Sequence, residues 1–158
     1  MKKIYFIVVL LATSFTQHTF AQDSSNQAQV RQLLSLYYDI KDALVAGNPN
    51  TASLKAETFV KAANDIGSRP ISGGNFKSLI EQAGMISQTK DLKKQREYFS
   101  NFSNSMVSLA RAVKLSDKPI YQAYCPMKKA SWLSSEKTIK NPYYGSSMLT
   151  CGEVTETL

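Results

Sequence analysis

The segment from Leu92 to Val113 constrains the fold most. Leu92, Gln95, Phe99, Phe102, Met106, Leu109, Ala110 and Val113 recur at three- and four-residue spacing, and Ser116-Asp117-Lys118-Pro119 closes the run. A helix of about six turns with one such stripe must hide it against other elements. Three earlier segments offer themselves. Val30, Leu33, Leu34, Tyr37, Ile40, Ala43 and Leu44 keep the same period, and Gly47 is a natural stop. Asn48-Pro49 then sets a capping side chain before a proline at the first helical position, and Ala52, Ala56, Phe59, Val60, Ala63 and Ile66 follow up to Gly67. Phe76, Leu79, Ile80, Ala83 and Ile86 make a shorter third helix, with Gly84 weakening its last turn. Thr89 or Asp91 is placed to cap the fourth. Ser68 to Gly74 reads as a loop.

Four amphipathic helices on short connections predict an all-α fold: an antiparallel, up-down four-helix bundle over about residues 28–116. The region 117–158 breaks the period. It holds both cysteines, the only tryptophan and the turn signals Asn141-Pro142 and Tyr144-Gly145. Ile120, Tyr121, Ala123 and Tyr124 lean toward strand, and Ser146 to Cys151 reads as a helical turn or a short extended piece. The expectation is an irregular tail, rich in aromatics and sulfur, packed against the bundle. Trp132 is expected in the core there, with Tyr143 and Tyr144 shaping a turn. Arg96 is expected to form a structural ion pair with Glu97 or with a tail carboxylate such as Glu153.

The first residues read as a leader. Lys2 and Lys3 precede the apolar run Ile4 to Leu11, and Thr19 and Ala21 suit a cleavage site before Gln22. The run is too short to span a bilayer comfortably, and no cysteine at the site invites a lipid anchor. The expected organisation is a signal peptide over 1–21 and a single domain over 22–158, located in the periplasm, with Gln22 to Gln27 disordered. Without Lys2 and Lys3 the net charge falls from +7 to +5, and the lysines are scattered, so no nucleic-acid partner is expected. The one histidine, His18, lies inside the leader. The domain therefore has no imidazole for general-base work, for a nucleophile–histidine pair or for a zinc–histidine site, and nothing marks a carboxylate pair. An enzyme is not expected.

The sulfur chemistry stands out. Cys125 and Met127 are two apart, Met148 and Cys151 three apart, offering two thiolates and two thioethers to a soft ion such as Cu(I) or Ag(I). Structural zinc wants four Cys or His ligands. The competing reading is a Cys125–Cys151 disulfide closing a loop of 25 residues, with a stabilisation of about 3–4 kcal/mol on the chain-entropy account. The two methionines are then packing residues. A labile bridge that opens to bind metal reconciles the two.

The segments YCPM at 124–127, WLS at 132–134, IKNPYYG at 139–145 and MLTCGEV at 148–154 resemble the DUF3347 family of exported Bacteroidetes proteins and domains, as do YYDIKDALV at 37–45 and DLKKQREYFSNFS at 91–103. The resemblance extends over nearly all of the chain after the leader. It implies an association with heavy-metal efflux, since some members are joined to or encoded near periplasmic adaptors of such pumps. The CPM triplet is also similar to a YTCPMHP heavy-metal motif, with Lys128 where that motif has histidine. The implied ligands are Cys125, Met127, Met148 and Cys151, the implied cofactor copper(I) or silver(I), and the implied partner an efflux-pump adaptor. The alternative is a structural or interaction module, its tail stapled by the disulfide and its aromatic surface bound to an envelope protein.

Overall fold

Helix boundaries follow from local devices. In the computed structural model, which describes residues 18–67 and 76–158 with side chains from residue 28 onward, α1 runs His18–Val45, α2 Pro49–Gly67, α3 Phe76–Ser87 and α4 Leu92–Ala112. Gly47 ends α1 with φ +68°, while Asn48 N donates to Ala43 O at 2.9 Å and Gly47 N to Leu44 O at 3.2 Å. That pair of bonds is a Schellman stop, which requires a left-handed residue that glycine supplies without strain. Asn48 Oδ1 accepts from Thr51 N at 3.1 Å and so caps α2. Asp91, not Thr89, caps α4: its carboxylate accepts from Lys93 N at 2.9 Å and Lys94 N at 3.2 Å. Helix α1 begins before Gln22, so the residues 22–27 expected to be disordered are helical; once a nucleus exists, each added residue gains one backbone bond. Residues 1–17 of the expected leader and the 68–74 loop lie outside the described residues. No helix among the described residues is long and apolar enough to cross a membrane.

The four helices meet at one end through two polar side chains. Gln95 Nε2, fully buried, donates to Pro49 O at 2.9 Å and Thr89 O at 2.8 Å. Arg96 Nη2 donates to Leu44 O at 2.9 Å. The end of α1, the start of α2, the end of α3 and the start of α4 therefore lie together, and the helices run up, down, up, down. Arg96 does not make the expected ion pair with Glu97 or Glu153 among the described residues. It satisfies one of the last carbonyls of α1, which have no partner within their own helix. Between the helices Phe59 meets Phe102 edge-on at 4.8 Å, and Tyr37 stacks on Phe99 at 5.4 Å.

Beyond Pro119 the all-α expectation is overturned. Strands β1 (Tyr121–Cys125), β2 (Ala130–Ser134) and β3 (Glu153–Thr157) form an antiparallel sheet of order β2-β1-β3, so the fold is mixed: four helices and a three-stranded sheet. Ala123 pairs with Trp132 and with Val154, and Cys125 with Ala130. These strands are short and their signals weak. The β1–β2 turn carries its left-handed residue as Lys129, φ +54°, where hairpins usually advertise Gly or Asn. Strand β3, Glu-Val-Thr-Glu-Thr, is exposed along its whole length and shows no apolar alternation.

Strand β2 packs on α4, and the sheet's edge there is closed by two phenols. Tyr37 accepts from Leu133 N at 2.9 Å and shares a 2.6 Å hydrogen bond with Ser103 Oγ. Tyr143 Oη donates to Ser131 O at 2.6 Å. Burial pushes the Tyr37 phenol well above its ordinary range, which keeps it protonated. Tyr37→Phe should lower stability by about 1–3 kcal/mol, the cost of leaving the buried Leu133 N–H and Ser103 hydroxyl without that partner. Denaturant unfolding measures it, and an unchanged midpoint would remove this joint from the account of the fold.

Candidate metal centre

Two thiols with 25 residues between them in sequence are brought side by side by the sheet. Cys125 is the last residue of β1 and is fully buried; Cys151 stands two residues before β3 and is partly exposed. Their sulfurs are 3.4 Å apart and both are free. The approach depends on Gly152. Its φ is +143°, and a Cβ there would lie 2.7 Å from Trp132 Cη2 and 2.9 Å from Tyr124 O. Only a residue without a side chain lets the strand entrance press onto the Trp132 ring and carry Cys151 to Cys125.

Asn141, fully buried, organises the far side. Its Nδ2 donates to Cys151 O at 2.7 Å, while Oδ1 accepts from Tyr143 N at 2.8 Å and Tyr144 N at 3.3 Å. The same residue's N–H donates to Leu149 O at 2.8 Å. Asn141-Pro142 announces a turn in the sequence, but not that the amide would also tie down the second cysteine. The 146–151 segment is a single 3-10 turn, Gly145–Ser147, followed by a bend in which Cys151 N reaches Met148 O at 3.1 Å. Met148 and Cys151 therefore do not share an α-helical face.

The two thiols differ in character. Burial pushes the Cys125 thiol up, but hydrogen bonds from Lys128 N–H, the Cys151 thiol, the Asn141 side chain and Met127 N–H outweigh it, and its pKa lies below the ordinary value. Cys151 is pushed up, first by the bond it donates to Cys125, then by burial and by the neighbouring sulfur's charge.

Of the four sulfurs singled out in the sequence, the structure brings the two thiols together. Met127 lies in the β1–β2 turn with its side chain 64% exposed, and Met148 is 39% exposed. Among the described residues no group of three or more His, Cys, Asp or Glu side chains is placed to hold a metal. Trp132 and Tyr143 are core residues, in edge-on contact at 6.0 Å. The exposed apolar groups near the cysteines are thioether and aliphatic: Met127, Met148, Leu149 and Val154 each lie within three residues of one.

Thiolate absorbance against pH should rise in two steps, the first below the ordinary thiol range and the second above it. In Cys151→Ser the upper step should vanish and one step remain. Loss of the lower step instead would reverse the assignment of the two thiols.

No curated protein and no solved structure matches the chain. The family described as "Protein of unknown function (DUF3347)" matches residues 33–118. YYDIKDALV and DLKKQREYFSNFS fall inside that span, whereas YCPM, WLS, IKNPYYG and MLTCGEV fall beyond it, so the match is confined to helices α1 to α4 and the residues leading to β1. Since it covers more than half of the sequence, the chain belongs to the DUF3347 family.

Proposed function

We propose that the protein binds Cu(I) or Ag(I) through Cys125 and Cys151, as a periplasmic factor of heavy-metal efflux or homeostasis exported by the leader at 1–21. The observation that carries the reading is the pair of unbridged sulfurs 3.4 Å apart, one buried and one partly exposed. Soft monovalent ions accept a two-thiolate site, whereas structural zinc requires two further Cys or His ligands. Met127 and Met148, exposed in the segments that carry the cysteines, are the thioethers assigned to the donor set in this reading. A site with one partly exposed thiol and thioether neighbours suits transfer to an acceptor, here the periplasmic adaptor of an efflux pump.

A second reading has its own observation. Met127, Met148, Leu149 and Val154 form exposed apolar surface in the segments carrying the cysteines, which suits a non-enzymatic interaction module whose tail is closed by a Cys125–Cys151 bridge.

Anaerobic titration of the reduced protein with Cu(I), against a chelator of known affinity, separates them. One ion per chain is expected, with binding abolished in the double Cys→Ser variant. Met127→Leu should weaken it by about tenfold. Stoichiometric affinity retained by the double variant would sink the metal reading, and absence of binding in the wild type would leave the interaction module.

A further inference from the structure

The same thiols carry a second chemistry that does not depend on any metal. The geometry points to a reducing dithiol in which Cys151 forms a mixed disulfide with one half of a small, exposed disulfide and Cys125 resolves the adduct into a Cys125–Cys151 bond. Three observations on the pair support this division of labour.

The first is access. Cys151 is partly exposed at the entrance to β3, whereas Cys125 is fully buried at the end of β1. An incoming disulfide therefore meets Cys151. The second is distance. Reacting atoms held about 3–3.5 Å apart are already in near-attack position, and the sulfurs stand at 3.4 Å. The third is anchoring. Cys125 is fixed in strand pairing with Ala130, and Asn141 Nδ2 fixes the Cys151 carbonyl at 2.7 Å. The short approach is thus set by the backbone of both segments and survives substitution on Cys151 Sγ.

The steps balance. Cys151 Sγ passes its proton to the Cys125 sulfur to which it is hydrogen-bonded and attacks one sulfur of R–S–S–R, forming Cys151–S–S–R and expelling one R–S⁻. Cys125 then loses its proton to solvent or the expelled R–S⁻ and attacks Cys151 Sγ, the Cys125–Cys151 bond forms, and the second R–S⁻ leaves. The protein loses two electrons and two thiol protons, and the disulfide oxidant becomes two thiols. Excess small thiol reverses the sequence. The oxidised form has no free thiolate, so a metal held by this pair and the bridge exclude each other.

The test uses the full chain, freed of metal with a chelator, and an aromatic disulfide whose released thiolate is coloured. Wild type should release two equivalents per chain and end with no attached label, its mass lower by two hydrogens. Cys125→Ser should release one equivalent and keep the label, because the resolving sulfur is gone. Cys151→Ser should react at least tenfold more slowly than Cys125→Ser, since its remaining thiol is buried. Wild-type protein that retains label would overturn the proposal without recourse to any variant. So would Cys151→Ser reacting as fast as Cys125→Ser while both keep the wild-type circular-dichroism spectrum. Failure of Cu(I) binding leaves this outcome untouched, so the two readings fail separately.

Discussion

The hydroxyl of Tyr37 is the point on which helices and sheet depend together. It sits in the middle of α1, is shared with Ser103 on α4, and takes the outward N–H of Leu133 on β2. A five-residue strand at a sheet edge would otherwise bury main-chain groups without partners, at a cost of about 1–3 kcal/mol for each. Tyr143 does the same for the Ser131 carbonyl one pleat away. The phenols replace the neighbouring strand that β2 lacks. Their rings meanwhile extend the helical aromatic core, Tyr37 against Phe99 and Phe102, Tyr143 against Phe99 and Trp132. Apolar packing and backbone satisfaction are thus achieved by the same two side chains.

That joint places the dithiol. With β2 seated on α4, β1 is held on its other edge, and the end of β1 sets the position of Cys125. The return path of the chain then has little freedom. Tyr143 and Trp132 fill the space beneath it, Asn141 grips both flanks of the turn, and Gly152 allows the strand entrance to lie on the indole. The 3.4 Å approach of the sulfurs is a consequence of packing remote from them. A change at Trp132 or Gly152 acts on the pair without touching either sulfur, because a close-packed interior transmits a displacement rather than absorbing it.

Helices were legible in the sequence because their signals are long and redundant. The apolar stripe of α4 repeats over six turns, and Gly47, Asn48 and Asp91 mark boundaries with residues whose chemistry has few other uses. The sheet was not legible for the opposite reason. Its strands are five residues each, its hairpin turn hides its left-handed residue in a lysine, and β3 spends its side chains on solvent. Tyr121 to Tyr124 gave a β-leaning hint, but Trp132 and Leu133, buried in succession, break the alternation that announces a strand. The site was half legible. Two cysteines and two methionines could be named, whereas the meeting of the thiols without the thioethers buried beside them depends on the register of β1 with β3. Arg96 shows the limit of charge arithmetic: its guanidinium has carboxylates nearby in sequence and goes instead to a helix-end carbonyl.

The family span ends at Lys118, yet it includes what the sheet needs to dock. Tyr37, Phe99, Phe102 and Ser103 lie within residues 33–118, and Arg111 of α4 pairs with Glu156 of β3 and bonds Gln122 of β1. The helices therefore present, on the α1–α4 side, an open polar edge: a phenol ready to accept and a guanidinium ready to donate. Without α1 the buried Leu133 N–H on β2 has no partner, so the sheet side of this joint is not satisfied alone. The helical region and the sulfur-bearing sheet are on this account one folding unit. Chemistry at Cys125 and Cys151 is then tied to the packing of α1 and α4 by a single hydrogen-bonded seam.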